Sequence, residues 1–186
     1  MAGLTQNYHE TIDPAVTADE AAITLAVTYK NIIPASRFNL GPQFFNKIGR
    51  KLRIRAFGKI TTVLTPGNGQ MGILFGTGAD ANGVNVVQSA AFALIASQTN
   101  ISWNMEMYIH CRSIGTAGTL FGTGILEIGA SVVASSAQPI MMPPSAAVVS
   151  AACDLTGVLI PSLQFLRSGS TAEAISVQDY DISPMN

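Results

Sequence analysis

The sequence predicts an all-β fold: an antiparallel β-sandwich with jelly-roll-like topology, about eight strands and an extended N-terminal arm. The first observation behind this is strict alternation. In residues 51–60, Lys51, Arg53, Arg55, Phe57 and Lys59 alternate with Leu52, Ile54, Ala56, Gly58 and Ile60. In residues 102–112, Trp103, Met105, Met107, Ile109 and Cys111 alternate with Ser102, Asn104, Glu106, Tyr108, His110 and Arg112. This period of two is that of a pleated strand with one face on a core. The second observation is negative, since no stretch carries apolar residues at helical spacing. The third is punctuation: clusters of Gly, Pro, Asn and Ser at 65–69, 78–83, 113–118 and 167–170 separate the apolar runs as turns would.

Taken in chain order, residues 1–20 alternate nothing, hold Pro14 and read as the arm; residues 21–186 read as one sandwich domain. Strands are expected at 22–28, at 51–60 with the basic side chains outward, and at 70–76 with Met71, Ile73 and Phe75 inward and Leu74 outward. Further strands are expected at 90–96, 102–112 and 119–128. In the last of these Leu120, Leu126 and Ile128 face the core and Phe121 and Ile125 face out, while Gly122 and Gly124 mark a bulge or a close backbone approach. Residues 130–153 form a long connection from one sheet to the other, followed by strands at 158–167 and 172–182. In the final strand the inward set shifts from Ile175 and Val177 to Tyr180 and Ile182, which predicts a bulge near Gln178 and Asp179. The heptapeptides at 72–78 and 118–124 agree at six positions of seven, but their flanks differ, so they are two similar strand ends rather than a repeat.

Composition bounds the function. Of 186 residues, 48% are hydrophobic and 11% charged, with a mean hydropathy of +0.35. A lone soluble domain carries roughly 25% charged residues. No apolar run approaches the roughly 20 residues of a spanning helix, so no membrane partner is expected. An outer surface largely covered by other subunits is. The opening residues have neither a basic stretch nor an apolar core of a secretory signal, and Cys111 and Cys153 fit no disulfide framework or zinc spacing. Both are expected as buried free thiols of a chain made in a reducing cytoplasm.

The little charge present is segregated. Residues 1–29 hold Glu10, Asp13, Asp19 and Glu20 and no Lys or Arg. Lys47, Arg50, Lys51, Arg53, Arg55 and Lys59 are six of the chain's ten basic residues. A strand face of Lys51, Arg53, Arg55 and Lys59 around Phe57 suits a protein partner, either an acidic surface of another subunit or the acidic arm of a second copy. Solvated lysines and arginines that blunt an edge are the alternative reading of the same stripe. Direct nucleic-acid binding is not expected from one stripe in a neutral chain.

Catalytic chemistry finds no support. Glu106 and His110 are four apart, and in a strand they share a face but stand roughly 13 Å from each other, beyond acid–base reach. His9 has only Glu10 beside it, which makes no metal set. No Gly-x-Ser-x-Gly elbow occurs, and Cys111 points inward. No enzyme activity, cofactor or metal is expected.

The runs Ile33-Pro34-Ala35-Ser36-Arg37-Phe38, Gly49-Arg50-Lys51-Leu52-Arg53-Ile54-Arg55-Ala56-Phe57-Gly58-Lys59-Ile60 and Thr65-Pro66 resemble the small β-sandwich virion structural proteins of tailed bacteriophages. Trp103-Asn104-Met105-Glu106-Met107 and Arg112-Ser113-Ile114-Gly115-Thr116-Ala117-Gly118-Thr119 look like that family's central hairpin. The likeness spans about residues 22–182, with the arm and the Pro-rich 137–144 segment outside its pattern. It implies a jelly-roll-like head decoration (cement) protein at the capsid surface, a homo-oligomer, commonly a trimer, seated on the major capsid protein. On that reading Lys51, Arg53, Arg55, Phe57, Lys59, Phe121 and Ile125, with Glu10, Asp13, Asp19 and Glu20 of the arm, are the expected interface residues. The alternative is a head-fibre or tail adhesin domain that binds a host surface glycan.

Overall fold

The computed structural model describes residues 23–24, 30–32, 39–77, 83–129, 133–134, 139–168 and 173–185. Its strands are β1 (Ile23–Thr24), β2 (Lys30–Asn31), β3 (Lys51–Thr61), β4 (Asn68–Gly76), β5 (Gly83–Gln88) and β6 (Phe92–Leu94). They continue with β7 (Ile101–Ser113), β8 (Thr119–Ile128), β9 (Val133–Ala134), β10 (Ile140–Met142), β11 (Ile160–Arg167) and β12 (Ala174–Met185). No helix occurs among the described residues. The front sheet has the order β1-β12-β3-β7-β8-β10; the back sheet runs β2-β11-β4-β6-β9, with β5 also paired to β4. Every pairing is antiparallel.

Consecutive strands β3 and β4 lie in opposite sheets, and so do β11 and β12, and β1 and β2. Because β12 pairs with β3 while β11 pairs with β4, the chain is an antiparallel ribbon folded across the sandwich. This is the jelly-roll-like arrangement the sequence predicts.

One apolar core fills the space between the sheets, with Trp103, Phe45, Phe75 and Phe165 among its largest fully buried side chains. Full burial of such a side chain contributes roughly 1.5–3 kcal/mol. Two glycines set the spacing. A Cβ on Gly58 would lie 2.6 Å from Cζ2 of the Trp103 indole, which packs over the bare backbone of β3. A Cβ on Gly122 would lie 2.7 Å from the Val87 Cβ in the opposite sheet, so the glycine anticipated as a close approach marks where β8 and β5 meet. The bulge expected near Gln178 is present, with the β12–β3 register shifting between Val177 and Asp179. Cys111 and Cys153 are free and buried, and burial raises the pKa of both thiols.

Three expectations change. Residues 84–88, unassigned by pattern, form β5, because a bulge against Ile73 and Leu74 interrupts the alternation there. The 130–153 connection holds two short strands, with β9 completing the back sheet on β6 and β10 capping β8 in the front sheet. Leu74, expected outward, is 5% exposed. The β4 residues 71–75 and the β11 residues 161–165 are buried on both faces, including the polar Ser162 and Gln164. Alternation reports which residues share a face, not whether that face meets solvent. Only the front sheet keeps the clean alternation of an open outer surface, along β3 and β7.

Candidate interface site

The outer face of the front sheet is built in rows, because antiparallel pairing sets residues of neighbouring strands opposite one another. One row reads Asp181, Arg55, Glu106, Ile125 and Met141 across β12, β3, β7, β8 and β10. Beside it lies Asp179, Phe57, Asn104 and Glu127 on one side and Ser183, Arg53, Tyr108 and Thr123 on the other. The row at the sheet's end is Met185, Lys51, His110 and Phe121.

These rows bring together most of the residues expected at an interface. Lys51, Arg53, Arg55 and Lys59 are half-buried on this face with Phe57 exposed among them, and Phe121 and Ile125 join them half-buried on β8. Glu10, Asp13, Asp19 and Glu20, and the arm as a whole, lie outside the described residues.

The basic stripe is not uniformly basic in three dimensions. Arg53 donates to Asp181 at 3.2 Å, and the Asp181 carboxylate also accepts from Ser183 Oγ. Arg55 has Asp181 on one side and Glu106 on the other. Phe57 lies between Asp179 and Asn104, and Asn104 donates to Glu127 at 2.9 Å. Arg53 is thus paired with, and Arg55 flanked by, carboxylates far away in sequence. Asp179 and Asp181 were missed as site residues because their relation to β3 depends on pairing register, which has no local signature.

Glu106 and His110 form no dyad. The Glu106 carboxylate accepts from the Tyr108 hydroxyl at 2.7 Å, and this bond, followed by desolvation, raises the phenol's pKa above its ordinary value. His110 instead packs edge-on against Phe121, with ring centroids 6.1 Å apart. Among the described residues no group of three or more His, Cys, Asp or Glu side chains is placed to hold a metal ion. No helix among them is long and apolar enough to cross a membrane.

No family model matches the sequence, and no curated protein does. Among solved structures, the chain is similar to lectin I-B4 of Griffonia simplicifolia in its metal-free form, at 9% identity and a TM-score of 0.39, over 89% of this chain and 91% of that one. A Bauhinia forficata lectin in complex with GalNAc aligns at 12% identity and a TM-score of 0.33, over 95% and 99% of the two chains. The binding domain of botulinum neurotoxin DC in complex with SialylT aligns at 8% identity and a TM-score of 0.30, over 89% of this chain and 42% of that one.

Proposed function

We propose that this chain is a structural subunit of a tailed-bacteriophage virion: a capsid decoration protein, made in the host cytoplasm, that forms a homotrimer on the major capsid protein at the head surface. The observation that carries the reading is the open outer face of the front sheet. There Phe57 and Met141, 42% and 58% exposed, stand with half-buried Ile125 and Phe121 among arginines and carboxylates, on a chain with only 11% charged residues. Arginine and aromatic side chains are what interface cores favour. The resemblance of the β3 and β7 runs to small virion proteins supports the same assignment. The work is mechanical and involves no reaction. Covering a few hundred Å² of apolar surface at about 25 cal/mol per Å² contributes several kcal/mol per contact, repeated around a symmetric shell.

The test is the copy number of this chain per particle, by quantitative mass spectrometry or cryo-EM. Hundreds of copies at capsid symmetry positions support decoration, whereas a handful at the tail or portal end that reading. One observation favours a second reading, a glycan-binding adhesin domain: pairing gathers Phe57, Tyr108 and Phe121 on one face, with the Tyr108 hydroxyl held by Glu106. Binding of the chain to a glycan array, abolished by Tyr108→Ala, would favour it.

A further inference from the structure

Strand β12 is far longer than the strand on its outer side. It pairs with β3 from Ala174 to Met185, whereas β1, which ends the front sheet among the described residues, meets it at Ala174 and Ile175. The β1–β12 pairing is antiparallel, Thr24 with Ala174 and Ile23 with Ile175. The chain N-terminal to Ile23 is therefore aimed along β12 toward Met185. Counted one for one from Ile23, residues 22 to 13 meet residues 176 to 185. Such a stretch spans roughly 33 Å at about 3.3 Å per residue, the same on both strands.

The side chains agree with this count, because residues directly opposite in an antiparallel pair share a face. Val16 falls opposite Ile182, Ala18 opposite Tyr180 and Ala21 opposite Val177, all three partners buried. Thr17 and Asp13 fall opposite Asp181 and Met185, which stand on the outer face. Glu20 meets the exposed Gln178 at the bulge, and Pro14 takes a sheet-edge position, where proline is tolerated. A slip of one residue past the bulge would turn Asp19 toward the buried Tyr180 and Val16 outward, at the cost of burying a carboxylate. The row that receives Asp13 is Met185, Lys51, His110 and Phe121, which holds no carboxylate of its own, and the Arg112 guanidinium lies over the Phe121 ring, 4.4 Å from the centroid. Lys51 is one strand beyond Met185; two strand spacings are about 10 Å, and the lysine side chain brings its charge within the screening length of about 8 Å. Asp19 falls opposite Asp179, a like-charged pair.

Three features assign this stretch to its own copy. Ile23 and Thr24 already lie on that copy's β12, so Ala22 follows at the same edge with no loop between. A segment tethered so closely meets its own edge at an effective concentration of about millimolar, which a second copy in dilute solution does not reach. The distance from Ile23 to the row of Lys51 is also the length that residues 13–22 span. We infer that residues 13–22 extend β1 along β12 of the same copy, an intramolecular strap that sets Asp13 beside the Lys51 row. The strap covers an edge that would otherwise template pairing with another chain, and it leaves the outer face of the front sheet for association. It does not depend on the virion reading above.

The test is a cross-strand disulfide in the full-length chain. Isotope-labelled and unlabelled copies of D13C/M185C are co-folded from denaturant in equal amounts and oxidised, and the bridged peptides are weighed by mass spectrometry. Cys111 and Cys153 are buried and stay outside the reaction. Two cysteines bridge only when their Cα atoms lie within about 7 Å. The expected result is bridging at least about tenfold faster than in D13C/D179C, whose positions stand roughly 20 Å apart in this register, with both peptides of each bridge carrying one isotope. Mixed-isotope bridges at the random share, or equal rates in the two variants, overturn the inference. A15C/S183C probes the same register while keeping Asp13 and Lys51, and it serves if the first pair disturbs folding. In that background D13N should slow bridging severalfold and D19N should not, since Asp19 faces Asp179. Equal slowing by both, as a diffuse attraction would give, or no slowing by D13N, overturns the place given to Asp13.

Discussion

Replacing Glu173 with Gln removes the negative member of an ion pair that water barely reaches. Arg167 ends β11 and Glu173 precedes β12; Nη1 and Oε2 are 2.8 Å apart, with side chains 4% and 0% exposed. The other carboxylate oxygen accepts from the Gly67 amide at 3.3 Å, so one side chain ties the 65–69 turn to the β11–β12 connection. Gln keeps the shape and still accepts from Gly67, but it leaves a buried guanidinium without its countercharge. Breaking a buried pair from one side costs about 3–5 kcal/mol. For a chain of this size about 1 kcal/mol moves Tm by about 2–4 °C, so a fall of roughly 6–20 °C is expected. Urea denaturation should show a lower midpoint at an unchanged m-value. The pair Arg53–Asp181, 30% and 32% exposed, is the internal control: Asp181→Asn should cost no more than about 1 kcal/mol. The double variant R167M/E173L should recover most of the loss, since apolar replacement of both charges is often neutral or stabilising. If E173Q stays within about 1 kcal/mol of the parent, or the double variant is as damaged as the single, the pair is not desolvated in the way its burial implies.

Two further outcomes are expected. Gly58→Ala places a methyl 2.6 Å from the Trp103 indole and against the Ser176 carbonyl oxygen, so it should cost about 1–3 kcal/mol, with a red shift in the emission of the only tryptophan; an unshifted spectrum with parent stability would refute the packing account. Tyr108, whose hydroxyl is held by the Glu106 carboxylate, should ionise above the ordinary tyrosine value in a titration followed at 295 nm, and Glu106→Gln should bring it down. Because its folded pKa is raised, this phenol's contribution to stability is fully present below about pH 10 and is lost as pH climbs through the folded value; an unchanged titration in the Gln variant would remove the cause assigned to it.

The strands β3 and β7 were legible because ten consecutive residues alternate without a break, and the β12 bulge because the alternation changes phase at Gln178. Strand β5 was not, since a bulge in its partnership with β4 destroys the period on which such a reading depends. The candidate interface was legible in part. Alternation placed Lys51, Arg53, Arg55 and Phe57 on one face, but the carboxylate that pairs with Arg53 comes from β12, and those that flank Arg55 come from β12 and β7. Arg53 meets Asp181 across 128 positions of chain.

By itself, then, the sequence determined the class of fold, the core-facing set of each long strand, and the scarcity and segregation of charge. These are local properties, readable from a period of two and from composition. Tertiary structure alone decided which strands are neighbours, and therefore which charges cancel. It left the front sheet's outer face open while burying Leu74 and Gln164 behind, and it set Asp181 against Arg53 while the row of Lys51 and His110 holds no carboxylate among the described residues. The physical reason is that pairing register between distant strands follows from the packing of the whole core, whereas charge compensation acts over a few ångströms. A stripe that is continuous along the chain is therefore divided in space by its neighbours.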